Sequence, residues 1–228
     1  EKIYDKEALK VLENLLFKLK VVDMFSGTKS WTQAFRIRGH EILTIDNDPK
    51  LNPDICENIM KLTAKDIGKF DIVLASPPCN HFSVASISKN WTGGKKAYIP
   101  KTKETQQAID LVKHTLNVIY DIDPKIWILE NPMGVLRKLD FMQLYERRTI
   151  TYCQYGESRM KTTDLWGKFP STFIARKCKN RSPCHEQAPR GAKMGTQGIK
   201  GALNRAKIPY QLSLEICIAC EKDLEKSA

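Results

Sequence analysis

A cysteine stands at the end of a tetrapeptide whose two prolines constrain its position. Ser76-Pro77-Pro78-Cys79 follows an apolar run at residues 71–75 that predicts a buried parallel strand. The prolines donate no N–H to the ladder and fix φ, so the strand ends there and the next side chain is held on a stiff turn. Ligands bind at the carboxyl edge of open α/β sheets. A thiolate at that edge is a strong nucleophile, so the pattern predicts covalent chemistry.

A carboxylate follows a second apolar run in the same manner. Residues 127–132 have the sequence Trp-Ile-Leu-Glu-Asn-Pro, which brings Glu130 to a sheet edge just before a terminating proline. An acid beside a thiol is suited to protonate or hydrogen bond a ring nitrogen of a substrate. Taken alone, Glu130 is better explained as an acid that caps the turn after the strand.

A third strand end has the features of a nucleoside site. Residues 21–28 form an apolar strand that enters a turn at Gly27, where the backbone can approach a ligand closely. About twenty residues later, Asp46 ends the next strand, a place where an acid typically accepts hydrogen bonds from ribose hydroxyls. The alternative is a βαβ unit with a tight turn and a surface aspartate.

Strands and helices alternate around these residues. Predicted strands cover 20–25, 41–46, 71–75, 125–130 and 149–153, and predicted helices cover 5–19, 29–38, 104–121, 138–147 and 210–225. This order predicts an α/β fold, a Rossmann-like sheet with helices on both faces. Residues 80–103 form a long polar loop of the kind that serves as a lid or binding loop.

The amino-acid composition indicates which classes of binding partner and which cellular compartment suit this chain. The formal net charge is +11, and residues 171–210 hold nine Lys or Arg against one acid. This charge predicts a polyanionic binding partner, most commonly nucleic acid. The alternative is a basic surface that is only solvated. No apolar run approaches the roughly 18 residues of a membrane span, so we expect no membrane association. Seven cysteines without a signal-peptide pattern favour a reducing intracellular compartment.

Four short motifs together resemble the cytosine-C5 DNA methyltransferases, in particular the short, phage-type members. They are FSG at 25–27, SPPC at 76–79 with Phe82-Ser83 after it, ENP at 130–132 and QYG at 154–156, and their order is that of the family. The resemblance implies an S-adenosylmethionine-binding catalytic domain over 1–169, a small basic target-recognition insert over 170–204 and a returning helix over 205–228.

The resemblance also implies a role for individual residues. Cys79 would add to C6 of a flipped-out cytosine, Glu130 would hold N3 and the exocyclic amine, and the methyl group would pass from S-adenosylmethionine to C5. Arg159 and Lys161 stand nearest to the arginines that support this centre in the family. The residues expected around the cofactor are Phe25, Ser26, Gly27, Asp46 at the ribose, Asn47, Asp66 at the adenine amine, and Pro78.

A stacked duplex hides the C5 and C6 atoms, so the resemblance implies double-stranded DNA whose target base is flipped out. Side chains of the 80–103 loop and of the basic insert would contact the phosphates or bases. They are Ser83, Lys89, Lys95, Lys96, Arg176, Arg181 and Arg190. For the loop lysines, a solvated surface is the alternative.

The cysteines outside the motif admit a metal site. Cys178 and Cys184 lie in the insert and Cys217 and Cys220 in the last predicted helix; four thiols, or three with His185, suit tetrahedral zinc. The alternative is that the helix cysteines are core residues. We expect Cys153 to be an ordinary strand or core residue.

Other classes of function stay open. An amino-methyltransferase also ends a strand in two prolines but continues with an aromatic residue, and Cys79 occupies that place here. A non-catalytic DNA-binding member of the fold and an RNA cytosine-C5 methyltransferase are the remaining alternatives. We expect a monomer in the cytoplasm of a microbial or phage-infected cell.

Overall fold

The chain folds around one sheet in the computed structural model, which describes residues 17–94, 97–187 and 201–225. The strands are β1 (Lys20–Met24), β2 (Glu41–Asp46), β3 (Ile55–Cys56), β4 (Ile72–Ala75), β5 (Trp91–Thr92), β6 (Ile99–Pro100), β7 (Ile126–Pro132), β8 (Arg147–Thr151) and β9 (Thr162–Lys168). Seven of them form the sheet in the order β3-β2-β1-β4-β7-β9-β8, while β5 and β6 form a small antiparallel hairpin.

The described helices differ greatly in length. They are α1 (Gln33–Ile37), α2 (Ala64–Ile67), α3 (Ile87–Asn90), α4 (Lys103–Ile122), α5 (Ala202–Ala206) and α6 (Tyr210–Leu224). Short 3₁₀ turns lie at Pro49–Leu51, Ile59–Lys61, Val84–Ser86, Leu136–Lys138, Asp140–Leu144 and Tyr152–Tyr155. Cap residues flank the long helix α4 on both sides. The Thr102 hydroxyl, just before the helix, accepts a hydrogen bond from the Thr105 N–H, and Asp123, just after it, has a left-handed conformation.

The parallel centre of the sheet is buried on both faces. Strand β4 lies between β1 and β7, in parallel register with both. Its alternate side chains enter two separate cores: Ile72 and Leu74 pack with α1 and α6, and Val73 and Ala75 pack with α4. This arrangement explains the unbroken apolar run that predicted the strand, because each face of a central strand needs apolar side chains.

The described structure confirms the prediction of a mostly parallel α/β sheet covered on both faces. At one edge of the sheet, however, the strands are antiparallel. Strand β9 is antiparallel to both β7 and β8, and no strand was predicted there. Its sequence, TTDLWGK, has no apolar run because Thr163 and Asp164 are buried polar residues. The Arg137 guanidinium forms a salt bridge with the Asp164 carboxylate, which removes the cost of burying that charge alone.

Other predicted elements change in extent. The helix predicted over 138–147 is wrong: two 3₁₀ turns separated by the extended Leu139 occupy this region, and Arg147 already begins β8. The helix predicted over 29–38 shortens to α1. Residues 1–16, most of the helix predicted over 5–19, lie outside the described residues.

The segment 80–103 has local structure wherever the chain is described. It contains a 3₁₀ turn, α3 and the β5–β6 hairpin, and Trp91 packs with Phe82 in the core below. The Trp91 indole N–H donates to the His81 carbonyl at 2.6 Å. Among the described helices, none combines the length and hydrophobicity that crossing a bilayer would require.

Candidate active site

A cavity of about 270 Å³ opens where the carboxyl ends of β1, β4 and β7 meet. Parallel strands end at the same edge, so the three polar strand ends that the sequence predicted are brought together. The lining includes Phe25, Ser26, Gly27, Pro78, Cys79, Glu130 and Lys161. Residues 203–208, which lead into α6, complete one wall through Leu203, Arg205, Ala206 and Ile208.

The Gly27 turn forms one end of the cavity. Phe25 and Gly27 both have positive φ, 61° and 50°, and a bulky residue with positive φ is strained by about 1–2 kcal/mol. The Gly27 N–H donates to Asp46 Oδ2 at 2.9 Å, and the Asp48 N–H donates to Asp46 Oδ1 at 3.0 Å. Asp46 therefore holds the turn, and each carboxylate oxygen keeps a second lone pair for another donor.

Two buried polar atoms in the lining fit a polar ligand. Ser26 Oγ and Trp31 Nε1 have no hydrogen-bond partner in the described part of the chain, and both residues line the cavity. Buried polar atoms without partners are rare in folded proteins and costly. A nucleoside cofactor such as S-adenosylmethionine carries amine, carboxylate and hydroxyl groups that can satisfy them, so these residues fit the group that the sequence predicted.

Asp66 does not reach this cavity, contrary to the sequence-based expectation. It is the third residue of α2, and its Oδ2 accepts from both the N–H and the hydroxyl of Thr63, which forms a capping box. A neighbouring depression beyond Pro78 is lined instead by Asn58, which the sequence gave no reason to select. Asn47 is exposed and lies outside the cavity lining.

The turn that holds Cys79 is fastened on two sides. The Cys79 carbonyl accepts the N–H groups of Phe82 and Ser83, both at 3.0 Å, and the Asn131 side chain donates to the Pro77 carbonyl at 2.9 Å. Gly134 permits the closest contact, because a Cβ atom there would lie 2.1 Å from the Phe82 carbonyl oxygen. The Glu-Asn-Pro strand end thus holds the turn that carries Cys79.

The environment of Cys79 favours the neutral thiol. Burial raises the pKa of this thiol above its ordinary value, and the nearby Glu130 carboxylate raises the pKa further. The Lys161 ammonium and the Arg205 guanidinium act in the opposite direction but do not prevail. The thiolate of Cys79 is therefore less populated at neutral pH than that of an ordinary exposed cysteine.

Glu130 belongs to a buried polar cluster with Tyr152 and Lys161. The Tyr152 hydroxyl donates to Glu130 Oε1 at 3.0 Å, and Lys161 Nζ lies 3.5 Å from the same oxygen. Lys161 also donates to the Arg205 carbonyl at 3.0 Å and lies 4.4 Å from the centroid of the Tyr152 ring. The structure places Lys161 beside Glu130, where the sequence predicted a supporting cation. Tyr152 was missed; its position just before the QYG motif was the available signal.

The other predicted supporting cation is absent from the cavity lining. The Arg159 guanidinium forms a salt bridge with Glu186 at 3.0 Å and donates to the Gln187 carbonyl at 2.8 Å. The pairing of residues 159 and 186 by a β-bridge explains why, because this bridge holds Arg159 against the insert. The predicted catalytic role of Arg159 is therefore corrected: its guanidinium holds residues 186 and 187 of the insert.

The predicted DNA-binding side chains have different environments. Arg176 forms a salt bridge with Glu215 and stacks on the Tyr155 ring, so much of its charge is already compensated. Ser83 is half-buried and donates to the Ser86 hydroxyl at 3.1 Å, whereas Lys89 and Arg181 are exposed. Lys95, Lys96 and Arg190 lie outside the described residues.

The structure does not bring the four predicted metal ligands together. Cys217 and Cys220 are buried in the apolar core on α6, as the alternative interpretation held. Cys178 and Cys184 instead approach Cys153 and His185. Cys153 is buried, as expected of a core residue, but its sulfur also lies close to those of Cys178 and Cys184.

The fold is a Rossmann-like α/β sheet with a thiol and a carboxylate in the cavity at the carboxyl ends of its parallel strands. Residues 19–146 match the profile of the "C-5 cytosine-specific DNA methylase" family. The match covers more than half of the chain, and the chain belongs to this family. A Frog virus 3 protein described as "Probable DNA (cytosine-5)-methyltransferase" is 27% identical over 217 residues, which are 89% of this chain and 100% of the relative.

Solved structures add a likeness of fold. The Entamoeba histolytica methyltransferase EhMeth aligns with a TM-score of 0.50 at 14% identity over 72% of this chain and 57% of its own. The S. pombe Dnmt2 methyltransferase aligns with a TM-score of 0.46 at 15% identity over 70% of this chain and 51% of its own. The chain thus spans about half the length of these structures.

Proposed function

We propose that this protein transfers a methyl group from S-adenosylmethionine to C5 of cytosine in double-stranded DNA. One observation carries the proposal: Cys79 and Glu130 line the same cavity as the Gly27 turn. A nucleophile, a carboxylate for the base and a nucleoside turn are the parts that this reaction needs. Family membership supports the same activity.

Cys79 acts as the nucleophile. Its sulfur forms a bond to C6 of the cytosine, and the electron pair of the C5–C6 double bond moves toward C5 and N3, which makes C5 nucleophilic. When bound, S-adenosylmethionine supplies an electrophilic methyl group to that carbon. The C5 proton then leaves to solvent, the sulfur–C6 bond breaks, and the double bond returns.

Glu130 links the charge at the cytosine to the charge at Cys79. Its carboxylate raises the pKa of the thiol in the free protein. When Glu130 takes up a proton from solvent and shares it with N3 of a bound cytosine, that repulsion falls, and the Cys79 thiol can release its own proton to solvent to form the thiolate. Lys161 and Tyr152 hold the acid in place through their contacts with Oε1. Base binding and activation of the nucleophile are thereby coupled.

The basic charge supports a DNA partner. Extruding the target base costs a few kcal/mol, and phosphate contacts from exposed cations such as Lys89 and Arg181 contribute to offsetting it. We propose a monomer that acts in the cytoplasm of the cell that produces it, since the odd number of cysteines suits a reducing compartment. A structural zinc ion would act elsewhere, because Cys79 is the only thiol in the lining formed by the described residues.

Trapping the covalent adduct tests the proposal directly. Incubation with S-adenosylmethionine and duplex DNA containing 5-fluorocytosine blocks release, because fluorine replaces the proton that must leave C5. We expect a denaturant-stable protein–DNA band with the unaltered protein and none with Cys79→Ser. The absence of a band from protein that binds the cofactor would contradict the proposal, and adduct formation on structured RNA alone would replace DNA with RNA.

A further inference from the structure

Three thiols and an imidazole converge outside the cavity, where the insert meets the end of β8. Cys153 lies in the 3₁₀ turn that follows β8, and Cys178, Cys184 and His185 come from the irregular segment after β9. The four potential ligand atoms, the three Sγ atoms and one ring nitrogen of His185, all lie within 4.8 Å of one another. We refer to these four residues as the thiol–imidazole cluster.

Three distances within the cluster match those of a tetrahedral zinc site. Ligands at about 2.3 Å for sulfur and about 2.0–2.1 Å for nitrogen place two sulfurs about 3.8 Å apart and a sulfur and a nitrogen about 3.6 Å apart. The Cys153–Cys184 sulfurs are 3.8 Å apart. His185 Nδ1 lies 3.7 Å from the Cys178 sulfur and 3.6 Å from the Cys184 sulfur. The Cys153 and Cys178 sulfurs, at 3.2 Å, are closer than two sulfurs on one zinc ion.

Outer contacts orient these ligands in the way that metal sites require. The side-chain amide of Gln187 lies 3.1 Å from His185 Nε2, so the ring nitrogen turned away from the cluster has a partner and Nδ1 faces the sulfurs. The Gln154 amide donates to the Cys184 sulfur at 3.3 Å. The Cys178 N–H donates to the Thr151 hydroxyl at 2.9 Å, which fixes the backbone next to β8.

A second group of three potential ligands serves as an internal contrast. His40, Cys217 and Glu221 also lie close together, but the Glu221 carboxylate already binds the Arg38 guanidinium through two hydrogen bonds. His40 Nδ1 accepts the Leu19 N–H, which leaves Nε2 to donate to Glu221. The groups in this second set have protein partners, whereas the sulfurs of the thiol–imidazole cluster chiefly face one another.

We propose that the thiol–imidazole cluster binds one structural zinc ion. Three thiolates and one imidazole nitrogen complete the tetrahedron, so no position is left for a substrate. The ion links Cys153, which follows β8, to residues 178–185 of the insert. Because Cys153 is the chain neighbour of Tyr152, the same link fastens the insert next to the residue that holds Glu130.

Metal analysis of the full-length, reduced protein tests the site. We expect one equivalent of zinc per chain, measured by inductively coupled plasma mass spectrometry after gel filtration. Cys184→Ser should lose most of this zinc, because it removes one of four ligands, whereas Cys56→Ser removes another exposed cysteine outside the cluster and should keep all of it. Less than stoichiometric zinc in the unaltered protein, or full retention in Cys184→Ser, overturns the proposal.

Two further measurements on the unaltered protein test the site without relying on the folding of a variant. Replacement of zinc by Co²⁺ in the unaltered protein should give thiolate-to-cobalt charge-transfer absorption and the strong visible bands of a tetrahedral ion. Their absence contradicts the site. Mass spectrometry after thiol blocking should find all three cluster cysteines reduced, and a Cys153–Cys178 disulfide in the purified protein would overturn the metal assignment.

Discussion

The thiol of Cys79 and the thiols of the thiol–imidazole cluster have opposite surroundings. Cys79 lines an open cavity together with a carboxylate and an ammonium group, and the described part of the chain brings no second thiol to that lining. The sulfurs of Cys153, Cys178 and Cys184 lie against one another and an imidazole. A lone thiol in a cavity can reach a substrate, whereas convergent thiols suit a metal. The neighbours, rather than the residue type, therefore separate chemistry from structural support.

Replacing one thiol from each region by serine should cause different losses, of activity in one case and of zinc in the other. Cys79→Ser should lower methyl transfer at least about 1,000-fold, because a hydroxyl ionises far less readily than a thiol and is the weaker nucleophile. It should leave cofactor binding, measured by calorimetry, and zinc content unchanged. Cys184→Ser should reduce zinc content while cofactor binding persists. Loss of zinc in Cys79→Ser would remove the distinction between the two regions.

The sequence could predict the first region better than the second for a physical reason. Cys79, Glu130 and Gly27 each follow a buried apolar strand, and parallel strands end at one edge of a sheet. The cluster has no such regularity. Cys153 lies 25 residues before Cys178 in the chain, and they meet because β9 returns antiparallel beside β8. Spacing instead favoured Cys217 and Cys220, which share a helix face directed into the core.

The dependence on contacts between distant or hydrogen-bonded residues also explains why strand β9 and the role of Asp66 were predicted wrongly. Strand β9 was missed because the buried polar residues Thr163 and Asp164 interrupt its apolar pattern, and Asp164 is paired with Arg137 from a distant part of the chain. Asp66 was predicted as an adenine ligand from its place ahead of β4, but a local capping box with Thr63 competes for its carboxylate. Local hydrogen bonds and long-range pairs of this kind are not visible in residue periodicity.

Removing the charge of Glu130 should impair the chemistry at Cys79 and leave the thiol–imidazole cluster unaffected. Glu130→Gln keeps the size of the side chain but removes the proton that N3 must share, so we expect adduct formation to slow by about 100-fold or more. Rapid-quench trapping on 5-fluorocytosine DNA measures this rate. The zinc content should not change. An adduct rate near that of the unaltered protein would exclude Glu130 from catalysis.

Gly134 tests how the Cys79 turn is positioned. Gly134→Ala would force a Cβ atom to within 2.1 Å of the Phe82 carbonyl, and neither backbone can yield without moving the turn. We expect a loss of about 1–3 kcal/mol in the free energy of unfolding and a fall in activity of about 10-fold. Denaturant unfolding measures the first. Met133→Ala, at a partly exposed neighbouring position, is the control and should change both only slightly.

The pH dependence of alkylation probes the charges around Cys79. Because burial and Glu130 raise the pKa of this thiol, its thiolate should appear at higher pH than that of an ordinary cysteine. Iodoacetamide labelling followed by peptide mass spectrometry should place the midpoint accordingly. Glu130→Gln should move the midpoint to lower pH, and Lys161→Gln to higher pH, since the ammonium group lowers this pKa. Shifts in the reverse directions would contradict the coupling.

Tyr152→Phe should have a much smaller effect on adduct formation than Glu130→Gln, because it removes a single hydrogen bond. The ring still fills its buried site, but Glu130 Oε1 loses a donor at 3.0 Å and keeps Lys161 at 3.5 Å. A lost bond to a charged group is worth about 1.5–3 kcal/mol when nothing replaces it, and the retained ammonium should limit the fall in adduct rate to about 10-fold. If the rate falls as far as in Glu130→Gln, Tyr152 does more than orient the acid; if it is unchanged while Lys161→Gln is slow, the cation alone holds Glu130.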